Sequence, residues 1–128
     1  MSAETSLLHA ALHCDSEDHA SQFFTKILDL KKIKEFTISA DLAKQIFKIE
    51  SSVKIILFGN QDYQLEVFIT QDHITRSFTH LCIGVPDKQA FVDACSHYGL
   101  VPYEVIRGEK TLLFVYDFVG NLFEIKEI

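Results

Sequence analysis

The stretch "FTHLCIGVPDKQAFVDACSHYG", residues 78–99, predicts a β-strand that runs directly into a helix. Pro86 stands where the helix would begin and Gly99 where it would end, and these are the positions that proline and glycine favour. Three further strands are predicted after the helix, over residues 101–107, 110–117 and 122–128. The second half of the chain therefore predicts a βαβββ unit.

The first half of the chain repeats this order. Residues 7–14 are apolar and alternate, which predicts a strand, and residues 15–28 place apolar side chains at helical spacing behind acidic residues. Strands are predicted next over residues 30–38, 52–59 and 63–70. We predict one domain, residues 1–128, of the α+β class, with two tandem βαβββ modules, residues 5–72 and 77–128, and curled mixed sheets.

The first and last strands of each module combine an apolar face with a face that carries a titratable residue near its middle. Side chains alternate across a strand, which places His9 and His80 on the first strands and Glu66 and Glu124 on the last strands, opposite the apolar sets. Solvation of an open sheet face explains a single polar residue. It does not explain the same residue type at the same place in both repeats.

Two imidazoles and two carboxylates from four strands form a ligand set for a divalent transition metal. Imidazole suits Zn, Ni, Co or Fe(II), and carboxylate adds charge. With His9, Glu66, His80 and Glu124 as ligands, an octahedral ion would keep two positions for a bidentate substrate. The sequence therefore predicts a divalent metal site and leaves the identity of the metal open.

The first half is longer than the second at one place. His9 and Glu66 are 57 positions apart, whereas His80 and Glu124 are 44 apart. The difference of 13 equals the length of residues 38–50, "ISADLAKQIFKIE", which predict a short amphipathic helix or lid between the second and third strands. Three of its side chains are expected to cover core, a dimer partner or the wall of a pocket: Leu42, Ile46 and Ile49.

The composition excludes several classes of partner. A formal charge of −6 argues against a nucleic acid held through its phosphates, and no apolar run approaches the roughly 20 residues that cross a bilayer. The start of the chain lacks the basic region of a signal peptide, so we expect a cytoplasmic protein. Cys14, Cys82 and Cys95 are odd in number and lack a C-x-x-C pair, which argues against disulfides; Cys14 and Cys95 are expected to pack.

Five segments in order resemble the vicinal oxygen chelate superfamily, which includes glyoxalases, bleomycin-resistance proteins and dioxygenases. They are "LLHAALHC", "ASQFFTKILDL", "YQLEVF", "THLCIGV" and "YDFVGNLFEI", and together they cover nearly the whole chain. The resemblance implies paired βαβββ modules whose sheets curl around a metal. Carried over by position, its ligands are His9, Glu66, His80 and Glu124, and this full set is most similar to that of glyoxalase I.

The resemblance favours an enzyme, a lyase, isomerase or epimerase that acts on a small oxygenated substrate through a metal-chelated enediolate. It implies that Glu124 or Glu66 moves the proton, and we expect Glu124 to be the base. Three residues are candidates for the substrate pocket: His13, Phe68 and Phe78. Cys82 shares the face of His80 and is either reactive or packed. A homodimer is expected, because open sheets leave edges that pairing would cover.

Two other functions stay open at this point. The first is a non-catalytic protein of the same fold that binds a drug or an aromatic ligand. The second is an Fe(II) extradiol-type dioxygenase, in which His9, His80 and Glu124 would hold the iron and Glu66 would stay off it. The identity of the metal and the consumption of oxygen would separate these functions.

Overall fold

The structure, a computed structural model, describes residues 7–71 and 79–128. The first module contains β1 (Ala10–Cys14), a helix α1 that is α-helical over Glu17–Ala20 and π-helical over Ser21–Ile27, β2 (Lys31–Ile38), α2 (Ala40–Phe47), β3 (Val53–Gly59) and β4 (Gln64–Ile69). The second contains β5 (Leu81–Val85), α3 (Lys88–His97), β6 (Tyr103–Arg107), β7 (Lys110–Tyr116) and β8 (Leu122–Glu127). No helix in the two described ranges is long and apolar enough to cross a membrane.

Each module forms one four-stranded mixed sheet, and the two strand orders are equivalent. The orders are β1-β4-β3-β2 and β5-β8-β7-β6. In each sheet the first strand is parallel to the last, and the other neighbours are antiparallel. The predicted α+β fold with two βαβββ modules is therefore confirmed. The predicted module boundaries at residues 5, 72 and 77 lie outside the described residues.

One hydrophobic core joins the two modules. It combines the apolar faces of both sheets with the inner sides of α1 and α3. Phe23 of α1 is fully buried and contacts Phe123 of β8 with ring centroids 4.9 Å apart. Cys14 and Cys95 are buried in this core as predicted. The sheets therefore turn their apolar faces towards the helices and leave their opposite faces for the site.

The turn between β7 and β8 fastens the second module to β1 of the first. Asn121 is almost fully buried, and its side-chain Nδ2 donates to the backbone oxygen of His13 at 3.1 Å and to Asp117 at 2.8 Å. The other carboxylate oxygen of Asp117 accepts backbone N–H groups from the turn, and burial raises the pKa of this carboxyl. Gly120, with φ +89°, supplies the left-handed conformation that closes the turn.

The segment inserted in the first module contains a helix, as predicted, but two of its apolar residues point outward. Ala43 and Ile49 are buried in a second, smaller core on the open face of the first sheet, together with Phe68. Leu42 and Ile46 are 46% and 60% exposed, so they cover no core within this chain, and the expectation that they face a dimer partner or the wall of a pocket stays a prediction. They are four residues apart and share the outer side of α2, because Ala43 occupies the inner side.

Candidate metal centre

The predicted ligands come together as two equivalent pairs, one in each module. His9 Nε2 lies 3.3 Å from Glu66 Oε1, and His80 Nε2 lies 3.4 Å from Glu124 Oε1. Glu66 is the strand partner of Ala11 and Glu124 that of Cys82, so each histidine precedes its glutamate's partner by two residues. Since side chains alternate, each histidine and its glutamate share the open face of their sheet.

Both histidines lie just before a strand, and the prediction that they stand in mid-strand is wrong. β1 begins at Ala10 and β5 at Leu81, whereas the predicted strands begin at residues 7 and 78, the latter outside the described residues. Their partner strands β4 and β8 begin at Gln64 and Leu122, directly after turns. Each parallel ladder begins at the residue directly after its histidine, at Ala10 and at Leu81.

Each pair combines an accessible imidazole with a sheltered carboxylate. The side chains of His9 and His80 are 44% and 38% exposed, while those of Glu66 and Glu124 are 19% and 15% exposed. The second ring nitrogen of His80, Nδ1, lies 2.8 Å from Thr79 Oγ1. This contact fixes the ring so that Nε2 faces Glu124, as partners of metal-binding histidines do. Sequence analysis missed Thr79, because strand alternation assigns it to the opposite face.

The spacing of each pair fits two ligands of one metal ion. Two ligand atoms bound at about 2.0–2.2 Å, with about 90–109° between the bonds, are roughly 3.0–3.4 Å apart. The observed separations of 3.3 Å and 3.4 Å lie in that range. The distance between the two donor atoms of each pair is therefore suited to one ion. The two donor types, a neutral imidazole and a carboxylate, also match what Zn, Ni, Co and Fe(II) accept.

The two pairs do not meet within one chain. Across residues 7–71 and 79–128, no group of three or more His, Cys, Asp or Glu side chains is close enough to hold a metal ion. Each chain therefore carries two separate pairs of candidate ligands, which we name the first half-site (His9 and Glu66) and the second half-site (His80 and Glu124). The four-ligand centre expected from the sequence is divided between the two open sheet faces.

The remaining candidates for the site have different surroundings. His13 lies on β1, four residues after His9, and within electrostatic reach of Asp117. Phe68 is 4% exposed and packs edge-on against Phe47 of α2, with centroids 4.7 Å apart, which leaves little of it for a ligand. Phe78 lies outside the described residues. Their role in a substrate pocket stays a prediction.

A groove of about 1160 Å³ runs along the open face of the second sheet and includes the second half-site. His80 and Glu124 line it, together with Phe114, whose ring is 6.4 Å from that of His80. Tyr103 stacks on Phe114 with centroids 5.7 Å apart and extends the aromatic surface. A small organic molecule can therefore lie beside the half-site with one side against aromatic rings.

Comparison with known proteins finds relatives by structure. No protein-family model matches the chain, and no curated protein matches it. One solved structure that matches is fosfomycin resistance protein FosX from Listeria monocytogenes, with 15% identity, a TM-score of 0.71 and coverage of 98% of this chain and 95% of that one. A glyoxalase family protein from Bacillus cereus matches with 18% identity, a TM-score of 0.72 and coverage of 98% and 95%. Trypanothione-dependent glyoxalase I from Leishmania major matches with 17% identity, a TM-score of 0.72 and coverage of 97% and 87%.

This chain has the glyoxalase fold. The likeness covers both modules, and it confirms, at the level of the fold, the resemblance to the vicinal oxygen chelate superfamily that the five sequence segments carry. One structure of a FosX variant from Listeria monocytogenes contains Mn(II) and 1S,2S-dihydroxypropylphosphonic acid, and that protein shares 16% identity with this chain.

Within this glyoxalase fold, Cys82 lies on β5 as the strand partner of Glu124, on the same open face of the second sheet as His80. The interpretation of Cys82 as a packed thiol is wrong, because its side chain is exposed. The thiols of Cys14 and Cys95 are buried, and burial raises their pKa values to about 11 and about 12. Partial burial and the nearby Glu124 carboxylate also raise the pKa of Cys82.

We predict that a thiol reagent such as dithionitrobenzoate modifies one cysteine per native chain. Cys82 should react first, because it alone of the three cysteines is exposed. Peptide mapping after partial labelling would locate the modified residue. The matched control is Cys82→Ser, which should abolish the fast phase and leave only labelling that follows unfolding. Fast labelling of Cys14 or Cys95 would contradict the packing described here.

Proposed function

We propose that this protein is a divalent-metal-dependent lyase, isomerase or epimerase of the glyoxalase type that acts on a small oxygenated substrate. The observation that carries the proposal is the repeated His–Glu pair, at the same strand register and with nearly the same spacing in both modules. A surface ion pair adds at most about 1 kcal/mol of stability. Stability gives no reason for the same pair to occur twice.

We further propose that a homodimer completes the metal centre. His9 and Glu66 of one chain would face the second-module pair of a partner chain, and the reverse pairing would form a second, equivalent centre. This arrangement is supported by the separation of the two half-sites within one chain. Twofold symmetry turns two half-sites per chain into two complete centres per dimer.

The carboxylates are suited to moving the proton. A bound divalent ion supplies a Lewis acid that stabilises negative charge developing on the substrate oxygens. Glu124 is mostly sheltered from water and lines the groove through which a substrate can approach. Its carboxylate can accept a proton from a carbon beside a carbonyl group and return it to the neighbouring atom. We therefore assign the base to Glu124, with Glu66 as its counterpart in the first half-site.

Elemental analysis tests the proposal most directly. The protein is purified without a chelating column, and its metal content is compared with that of a Glu66→Ala, His80→Ala double variant. The control is His97→Ala, Glu104→Ala, which removes an exposed histidine and an exposed glutamate outside the half-sites. We expect near-stoichiometric metal in the wild type and the control, and none in the double variant. A wild-type protein that binds none of the added ions, Ni, Zn, Co, Mn and Fe(II), would refute the metal-dependent function.

Thr79 should influence metal binding as a positioning residue. Because its hydroxyl holds Nδ1 of His80, we predict that Thr79→Val weakens metal binding by about 10- to 100-fold. Thr79→Ser keeps the hydroxyl and should bind metal like the wild type. Isothermal titration with Zn or Ni measures both affinities, and thermal unfolding should be nearly unchanged because Thr79 is exposed. Equal affinities in all three proteins would show that the hydroxyl does not position the ring.

A further inference from the structure

One end of the groove on the second sheet is basic. Arg107, Lys110 and Lys126 line it there, on the same sheet face as the half-site, and we name these three residues the basic end. We infer that the substrate carries an anionic group, a carboxylate or a phosphate, which the basic end binds while the oxygenated group lies at the metal centre. The inference rests on the proposed function, because it specifies the class of substrate for that site.

The strand register places the basic end on the same face as Glu124. Phe114 of β7 is the strand partner of both Glu124 on β8 and Tyr103 on β6, so these three residues lie side by side across the sheet. We call this line of residues the row of the half-site. Lys126 follows Glu124 by two residues on β8, and Lys110 precedes Phe114 by four on β7. Because side chains alternate, all of these positions share one face. Arg107 joins them as the strand partner of Lys110.

These positions determine the length of the molecule that fits. A strand rises by about 3.3 Å per residue, so Lys126 lies roughly 7 Å and Lys110 roughly 13 Å along the sheet from the row of the half-site. Lysine and arginine side chains are long and can reach back along the groove. The anionic group should therefore be separated from the metal-binding oxygens by a spacer of about four to eight bonds.

The side chains of the basic end are not held in ion pairs by the described carboxylates. None of the described carboxylates forms an ion pair with Arg107, Lys110 or Lys126. Glu127 also lines the groove, but its carboxylate accepts the backbone N–H of Lys88 at the start of α3, at 2.8 Å. By contrast, Lys54 on the first sheet pairs with both Glu17 and Glu35.

The pairing of Arg107 with Lys110 does not favour folding. The two residues are direct strand partners, and like charges placed opposite each other destabilise a sheet. The formal charge of −6 on the chain disfavours a nucleic acid as the anion that binds there. The groove, with Phe114 in its lining and Tyr103 stacked on that ring, favours a small molecule.

Two matched chelators test the inference on the metal-loaded protein. Acetohydroxamate and succinic acid monohydroxamate bind metals through the same group, but only the second carries a distant carboxylate. We expect isothermal titration to show about tenfold tighter binding of the anionic probe than of acetohydroxamate. We call this ratio of affinities the advantage of the anionic probe, and it should decrease as the salt concentration rises. In Arg107→Gln, Lys110→Gln the advantage should fall to about twofold. A phosphonate-tailed hydroxamate of equal length shows which anion is preferred.

Control variants make the result specific to the groove. Lys26→Gln, Lys31→Gln removes two exposed lysines of the first module and should keep the full advantage of the anionic probe. Arg107→Lys keeps the charge and should restore most of the advantage. Circular dichroism confirms that each variant is folded. Equal affinity of both hydroxamates for a wild type that binds metal would overturn the inference and leave the proposed function intact.

A second measurement uses the metal-free protein and does not depend on the proposed function. Inorganic phosphate is titrated while amide resonances are followed by NMR. We expect shifts at Arg107, Lys110 and Lys126 that are absent in Arg107→Gln, Lys110→Gln. If the protein does not bind metal but shows these shifts, the metal-dependent function is refuted and the anion site is supported. If phosphate causes no shift at these residues, the anion site is refuted.

Discussion

A one-to-one mixture of two half-site variants is expected to recover metal binding that neither variant has alone. One variant is His9→Ala, Glu66→Ala and the other is His80→Ala, Glu124→Ala, so each lacks one complete pair. In a mixed dimer, the intact pair of one chain meets the intact pair of the other in one of the two centres. After subunit exchange, half of the dimers are mixed, so about a quarter of wild-type metal content should return.

Mixing by unfolding and refolding the two variants together, followed by gel filtration and elemental analysis, measures this recovery. The control mixes His9→Ala, Glu66→Ala with itself after the same treatment and should contain no metal. If a centre closed within one chain, every chain in the mixture would be broken, and the mixture would also stay empty. An empty mixture beside a metal-containing wild type would therefore refute the shared centre and favour closure within the chain.

Phe123→Ala should cause the largest loss of stability among single substitutions in the core. Phe123 is fully buried on β8 and contacts Phe23 of α1, so the substitution leaves a cavity where the two modules meet. Phenylalanine-to-alanine changes at such sites cost about 3–5 kcal/mol. A chain of this size has a free energy of unfolding of about 5–15 kcal/mol, so a large share would be lost.

Urea unfolding followed by circular dichroism measures this loss. Phe123→Leu keeps most of the buried volume and should cost clearly less than Phe123→Ala. The matched control is Phe47→Ala, because Phe47 is 44% exposed on α2 and packs only on the smaller core. Its cost should be about 1 kcal/mol. Equal losses for Phe123→Ala and Phe47→Ala would contradict a core that joins the modules through β8.

The sequence predicted the repeat, the two sheets and the shared open-face position of the four candidate ligands. All three follow from local patterns, because strand alternation and the order of elements are independent of how distant parts pack. His9 and Glu66 could be assigned to one face of one sheet, and His80 and Glu124 to one face of the other. The structure brings each of these pairs to within 3.4 Å.

The parts that could not be predicted depend on packing between elements. Alternation assigned Thr79 to the apolar face, but Thr79 precedes β5, where the pleat no longer fixes the side chain. The outward position of Leu42 and Ile46 could not be predicted, since an amphipathic pattern does not say which side of α2 meets the sheet when apolar residues occur on both sides. The separation of the two half-sites depends on how the modules dock, which no local pattern encodes.

The equal register of the two half-sites makes the two βαβββ units equivalent as sources of the proposed ligands. Because each unit carries one imidazole and one carboxylate at the same positions, two copies of either unit contain the four donors of the proposed centre. A covalent connection between the units is therefore not a requirement of that centre. The modules differ outside the shared pair: the first contains α2 and its small core, and the second contains the basic end of the groove.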